Sequence, residues 1–401
     1  MTGDYATYVR NADLSLAGEL RGWTKLDVTL KWRGVGSWSI SGPARGLMTS
    51  LMEPTRGLIV VDRRGMPLLS ADGVVISGDV EEDGPRAWSA DGEDAHPGTL
   101  TLAGGDDLAI VADELAFPDP TNAVTSQTAA AYDARSGAAE TVIKGYVSAN
   151  VGSTRASARG DASVPGARTV TVAASSGSGS TVSYQARFDP LLDVVNAMAD
   201  ASSPQLGVRV QQSGSALVFD VYETTDRSGR AVFSRARRNL RAYSLTRSMP
   251  TATHVVVAGQ GEGTARVFRE RKDTTAANEW GRIVRTFVDQ RQTNVSAELD
   301  QAGDEALEQG RRTGALSVTA VDTPSMRFGQ HFGLGDLVSV ELETGVVLTD
   351  RVTAAAISVT DAGPQPTQIT IGTPDQDTKT TELYALVKRL QTQIGALQRR
   401  L

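Results

Sequence analysis

Through the first quarter of the chain, apolar residues recur at every second position. In TKLDVTLKW, Leu26, Val28, Leu30 and Trp32 share one face and Lys25, Asp27, Thr29 and Lys31 the other, the period of a half-buried strand. GSWSISGP, RGLIVVDRRGMPLLSADGVVISGDVEEDG and GTLTLAGGDDLAIVADELAF keep the rhythm, and RRG reads as a hairpin turn. This spacing predicts an antiparallel barrel or sandwich from Tyr5 to Phe117. The two prolines of AFPDPT end it.

The period then lengthens. Val142, Ile143, Tyr146 and Val147 lie at helical spacing behind Glu140. DPLLDVVNAMADAS places Leu191, Val194, Val195 and Met198 on one stripe, with Asp189 expected at the N-cap and Pro190 at the first helical position. Residues 152–183, rich in Gly, Ser, Ala and Thr, read as a flexible loop around SSGSGS with TVTVAA as a strand. LGVRVQQSGSALVFDVYET reads as a hairpin turning at Ser213-Gly214. A small α+β domain follows from these elements.

A second β stretch begins at HVVVAGQGEGTARVFRERK. It continues past a weakly apolar, mostly exposed helix, SAELDQAGDEALEQGRRTG. ALSVTAVD, LVSVELETGVVLTDRVTAAAISVTD and TQITIGTP complete it, with a tight Gly-Asp turn in GLGDLVSVEL. The expected boundaries are 1–118, 119–245, 246–374 and 375–401. In the last segment Leu383, Val387, Leu390, Ile394, Leu397 and Leu401 are spaced 4, 3, 4, 3, 4, a coiled-coil seam that predicts self-association, with an amphipathic helix packed on its own domain as the alternative. Its β-branched residues at a and leucines at d favour two strands in isolated parallel coils.

Composition sharpens the picture mostly by exclusion. Forty glycines and 15 prolines with 5% aromatics in 401 residues favour a turn-rich β architecture. Forty Lys+Arg against 47 Asp+Glu, a net charge of -7, argue against a polyanion-binding surface over the whole chain. With no cysteine there are no disulfides, thiolate metal sites or cysteine nucleophile. His96, His254 and His331 stand far apart, so neither a His-rich metal site nor any cofactor is expected. MTGDYATYVRNADL shows no signal peptide, and no apolar run has bilayer-spanning length; the expectation is a soluble protein made in the cytoplasm.

No catalytic motif is complete. In AGQGEG, glycines 259, 261 and 263 follow a strand, but the third comes one residue early for a dinucleotide fingerprint and strand-like TARVFRERK follows, so a kinked turn is predicted. SSGSGS lacks the strand-to-helix elbow of a serine nucleophile. Asp79, Glu81, Glu82 and Asp83 read as a solvated turn, and DGEDAH lacks the spacing of a calcium loop. Basic residues gather at Arg235, Arg237, Arg238 and Arg241, in RVFRERK, and at Arg311 and Arg312. The plain expectation is salt bridges with the acidic excess; the sharper one is a lining that meets a phosphate backbone without reading sequence.

The run DVYETTDRSGRAVFSRARRNLRAYSLTRSMPTATHVVVAGQGEGTARVF, followed by WGRIVRTFVDQRQT, resembles the minor tail proteins of long-tailed actinobacteriophages, the siphovirus tail-hub family. GSWSISGP, GLIVVDRRG, AETVIKGYVSANVG, DPLLDVVNAMA and GLGDLVSVEL extend the resemblance from about Trp23 to Thr373. It implies a mainly β fold of two β-barrel-like tail-hub domains with a small α+β domain; the short C-terminal coiled-coil helix rests on the heptad spacing alone. It also implies a non-enzymatic virion protein, a homotrimeric baseplate hub assembled in the host cytoplasm. Its partners would be a tail tube or distal tail protein and tip or fibre proteins, with non-specific passage of genomic DNA past the Arg235–Arg241 region. The alternatives are a tail-associated glycan-binding or glycan-cleaving protein and a receptor-binding fibre component.

Overall fold

The computed structural model describes residues 4–53, 55–70, 72–81, 87–89, 98–153, 155, 168–246, 250–311, 315–343 and 345–372. The period-two segments form strands with their apolar positions inward. In Lys25–Lys31, Leu26, Val28 and Leu30 are buried, as are Trp38 and Ile40 in Ser37–Pro43 and Leu100 and Leu102 in Thr99–Gly105. Each such side chain contributes about 1.5–3 kcal/mol by leaving water.

Strands from both ends of the chain share the largest sheet. Its order is Leu240–Thr246, Ala315–Val321, Gln368–Ile371, Val347–Thr360, Lys25–Lys31, Ser37–Pro43, Thr99–Gly105 and Ala87–Ser89. The join is antiparallel, with Val28 opposite Ile357 and Leu26 opposite Val359 on the core face. On the outer face the Ser358 hydroxyl donates to Asp27 at 2.7 Å. The 14-residue strand Val347–Thr360 is long enough to pair also with Leu337–Glu341, which lies parallel to Val232–Ser234.

A second sheet, in the order Leu16–Glu19, Tyr5–Arg10, Gly57–Asp62 and Val74–Asp79, packs against the first over a single core that runs from Tyr5 to Ile371. The two sheets meet at an antiparallel bridge between Val80 and Gly104. Backbones come so close there that a Cβ on Gly78 would lie 1.7 Å from the Gly105 carbonyl oxygen. The sequence predicts two separate barrel-like domains. Among the described residues no sheet closes on itself, and one core takes strands from both predicted domains, because a local period says nothing about which distant strand is a neighbour.

The stretch from about Leu108 to Glu223 is an insertion between strands of the large sheet and has its own core. The predicted helices form as Ala139–Val151 and Leu191–Ala201, and both pack their apolar faces into it. The second helix begins one residue later than expected: Pro190 is the N-cap, while the Asp189 carboxylate accepts from the Arg187 N–H at 3.0 Å. The hairpin Leu206–Ser213 and Ala216–Glu223 turns at Gly214, which adopts φ +58°, and Val170–Val172 adds a parallel strand. Arg33 ties the insertion to the sheets: its buried guanidinium pairs with Asp200 and donates to the Ala199 carbonyl at 2.9 Å and the Leu206 carbonyl at 2.6 Å. A cation on the last-turn carbonyls suits the negative end of the Leu191–Ala201 helix.

SSGSGS is not the mobile loop its composition suggests. The backbone N–H groups of Ser176 and Ser178 donate to the Glu140 carboxylate at 3.1 and 2.8 Å, and Lys144 Nζ reaches the same carboxylate at 2.7 Å.

A third, small unit follows. Its central strand His254–Ala258 is flanked by antiparallel Phe268–Lys272 and parallel Arg285–Asp289. The helix Ser296–Arg311 covers one face, burying Leu299 and Leu307 against Val255 and Val257. AGQGEG is the turn of this hairpin, not the start of a helix that would hold a phosphate.

Candidate functional site

The two faces of the third unit carry different side chains: the helix packs on one, and on the other His254 and Ala258 are buried while the flanking strands hold exposed aromatic rings. Val255 and Val257 face the helix, so alternation turns His254, Val256 and Ala258 to the opposite face. Cross-strand register places Phe268, Glu270 and Lys272 on that same face from one side, and Arg285, Phe287 and Asp289 from the other. Phe268 and Phe287 are each 56% exposed. The Arg266 guanidinium lies 6.0 Å and 5.8 Å from their ring centroids and pairs with Asp289. Lys272 pairs with Glu270 at 2.8 Å and holds its carboxyl below the usual carboxylate range; Arg291 pairs with Asp289 at 3.0 Å. The face therefore carries two open aromatic rings among charges of both signs. Both outer strands also have a free edge among the described residues. Charged side chains along them discourage indiscriminate strand addition.

The plain expectation for the basic run RVFRERK is met on the covered face. Arg269 pairs with Asp300 and Arg271 with Asp304, two acids one helical turn apart on Ser296–Arg311. What the sequence reading missed is the other half of the same alternation. Phe268 was legible only as a strand residue, since nothing local says which face a later helix will cover.

Arg235, Arg237 and Arg238 occupy one tight turn between Val232–Ser234 and Leu240–Thr246, with Arg238 at φ +58°. Buried Asn239 holds the turn: its side-chain oxygen accepts from the Ser234 N–H at 2.8 Å, and its amide donates to the Val232 carbonyl at 3.1 Å. Arg235 pairs with Glu343 at 2.9 Å, and both side chains are more than half exposed, so the pair adds little stability. No ion-pair partner engages Arg237, Arg238 or Arg241 among the described residues. The fourth arginine stands apart from the turn: Arg241 lines a groove of about 670 Å³ on the outer face of the large sheet, with Asp27, Thr29, Thr319, Ser358 and Gln368.

Of the predicted solvated acidic turn, Asp79 is instead part of a strand and an ion-pair cluster. It ends the strand Val74–Asp79 and accepts from Arg10 at 2.8 Å and from Arg168 at 2.6 Å, so two guanidinium groups engage it rather than water alone. Glu82, Asp83, DGEDAH, Arg312 and the heptad residues Leu383, Val387, Leu390, Ile394, Leu397 and Leu401 lie outside the described residues. Among the described residues no three His or acidic side chains gather closely enough to hold a metal ion, and no helix is long and apolar enough to cross a membrane.

No curated protein sequence matches the chain. Three solved structures share its fold over nearly their whole lengths. The 43 kDa tail protein of prophage MuSo2 from Shewanella oneidensis is 15% identical, with a TM-score of 0.52 over 92% of this chain and 97% of that one. The tail protein from Neisseria meningitidis MC58 gives the same figures. Prophage tail protein gp18 from Listeria monocytogenes EGD-e is 10% identical, with a TM-score of 0.52 over 97% and 99%. At such identities the likeness is one of fold. The model of the Siphovirus ReqiPepy6 Gp37-like proteins matches residues 6–373, all but the first residue of the two sheets together with the insertion and the third unit, and the chain belongs to that family.

Proposed function

We propose that this phage tail protein is the baseplate hub: a non-enzymatic virion component, three copies of which close a ring at the tip of the tail tube. In this reading the β bodies act as barrel-like segments of the ring. They contact a tail tube or distal tail protein on one side and tip or fibre proteins on the other, and genomic DNA passes through. Leu383, Val387, Leu390, Ile394, Leu397 and Leu401 contribute a coiled-coil contact between copies. Arg235, Arg237, Arg238 and Arg241 serve as the DNA-facing lining, where exposed cations meet phosphates without reading bases.

The open face of the third unit supports this reading best. Two phenylalanines at 56% exposure on one side of a three-stranded sheet are a surface suited to cover by another chain. Its mixed charges, Glu270, Lys272, Arg285 and Asp289, suit a protein neighbour that carries both signs. We assign that cover to the adjacent copy in the ring.

The double variant Phe268→Ser/Phe287→Ser tests it. Both side chains are exposed, so thermal melting is expected to stay within about 0.5 kcal/mol per site of the wild type. Negative-stain electron microscopy is expected to show threefold rings for the wild type and none for the double variant. Rings that persist in a folded double variant contradict the assignment.

A further inference from the structure

A cleft separates the insertion from the helix Ser296–Arg311. One chamber, about 300 Å³, is lined by Tyr132, Tyr184, Gln185, Glu298, Gln301 and Glu305. A second chamber of about 550 Å³ continues along the helix and shares Ser183, Gln301 and Glu305 with the first. The lower size bound of ordinary ligand pockets is about 300 Å³.

The lining combines tyrosines with planar polar groups. Gln185 donates to Glu298 at 2.8 Å, and Gln301 donates to Glu305 at 2.9 Å. Among the described residues these bonds leave each amide oxygen and the second oxygen of each carboxylate without a partner. Each amide–carboxylate pair thus offers several acceptor positions close together, an arrangement that suits neighbouring hydroxyls on a ring. Tyr184 packs edge-on against Tyr146, with ring centroids 6.3 Å apart, and its hydroxyl makes no hydrogen bond among the described residues. Burial first, and then the nearby carboxylates of Asp189 and Glu305, raise its pKa, so the hydroxyl keeps its proton and can donate. Tyr132 presents a ring that the Arg187 guanidinium flanks at 5.7 Å.

Charge narrows the ligand class. Asp189, Glu298 and Glu305 outnumber Arg187, the one cation lining that chamber, and disfavour an anion. In the second chamber, Asp300 and Asp304 are engaged by Arg269 and Arg271, and Asp200 by Arg33, so the acids there are not a free field for a polycation. What remains is an uncharged, hydroxyl-rich partner.

We propose that the cleft between the insertion and the Ser296–Arg311 helix binds a short neutral oligosaccharide, held by the two amide–carboxylate pairs and the Tyr184 hydroxyl. The site lies within one chain, so it does not depend on the trimeric ring. Saturation-transfer NMR on the intact protein tests it, with glucose, galactose, mannose and N-acetylglucosamine trisaccharides as probes at millimolar concentration. At least one trisaccharide is expected to receive saturation. Tyr184→Phe, which keeps the ring, and Gln185→Ala are each expected to weaken binding about tenfold, the loss of one hydrogen bond of about 1.4 kcal/mol, with unchanged melting. The proposal is overturned if no trisaccharide binds, if both folded variants bind as the wild type does, or if a lysine-rich peptide binds the cleft while every trisaccharide fails.

Discussion

Replacing Arg10 by methionine is expected to lower the unfolding free energy by about 3–5 kcal/mol, the cost of leaving a buried carboxylate without its cation. Arg10 ends the strand Tyr5–Arg10 and is wholly buried. Its guanidinium donates twice to Asp107, whose side chain is 2% exposed, twice to Asp79 at 3.1 and 2.8 Å, and once to Gln212 at 3.2 Å. Asp107 lies at the entry to the insertion, and Gln212 lies in the insertion's hairpin, so one side chain pins the insertion to the sheets. Asp79 tolerates the loss better, because it keeps Arg168 and is partly solvated. Asp107 keeps only the Ser77 hydroxyl among its described side-chain partners. Denaturant unfolding measures the cost. Adding Asp107→Asn to Arg10→Met is expected to restore part of it, since a neutral amide is cheaper to bury than an unpaired charge. A loss below about 1 kcal/mol contradicts this account of the junction.

Glu140→Gln is expected to cost about 3 kcal/mol near neutral pH, since hydrogen bonds to charged groups count for about 1.5–3 kcal/mol each and several are lost. Its carboxylate accepts from Lys144, from the backbone of Ser176 and Ser178, and from the Ser176 hydroxyl at 2.7 Å. Burial pushes this carboxyl up, but the bonds from Lys144, Ser178 and Ser176 outweigh it and hold it at about 2, against an ordinary 4.5. Because the folded pKa lies below the unfolded one, the contribution is complete above about 4.5 and disappears as pH falls through about 2. The melting temperatures of wild type and variant are therefore expected to differ most at neutral pH and to converge towards about pH 2. A gap that stays constant across that range contradicts the role assigned to the charge.

Local pattern recovered local structure. The stripe Leu191, Val194, Val195 and Met198 identified a real helix, and the Ser213-Gly214 turn a real hairpin, because each contact closes within a few residues. The join between Lys25–Lys31 and Val347–Thr360 was invisible for the opposite reason: Asp27 and Ser358 stand 331 residues apart. Buried charge was equally hidden. Asp79 looks like any turn acid, and SSGSGS like any linker, until Arg10, Arg168 and Glu140 arrive from elsewhere in the fold. The open face behaves the same way, since the spacing of Phe268, Glu270 and Lys272 gives alternation but not which side the Ser296–Arg311 helix leaves bare.

The hub reading stands or falls on copy number. Light scattering coupled to size exclusion, on the purified full-length chain, is expected to give about 127 kDa, three times the 42.3 kDa protomer. A mass near 85 kDa, twice the protomer, is what the a and d residues of the terminal heptads alone would favour, and it would contradict the threefold ring.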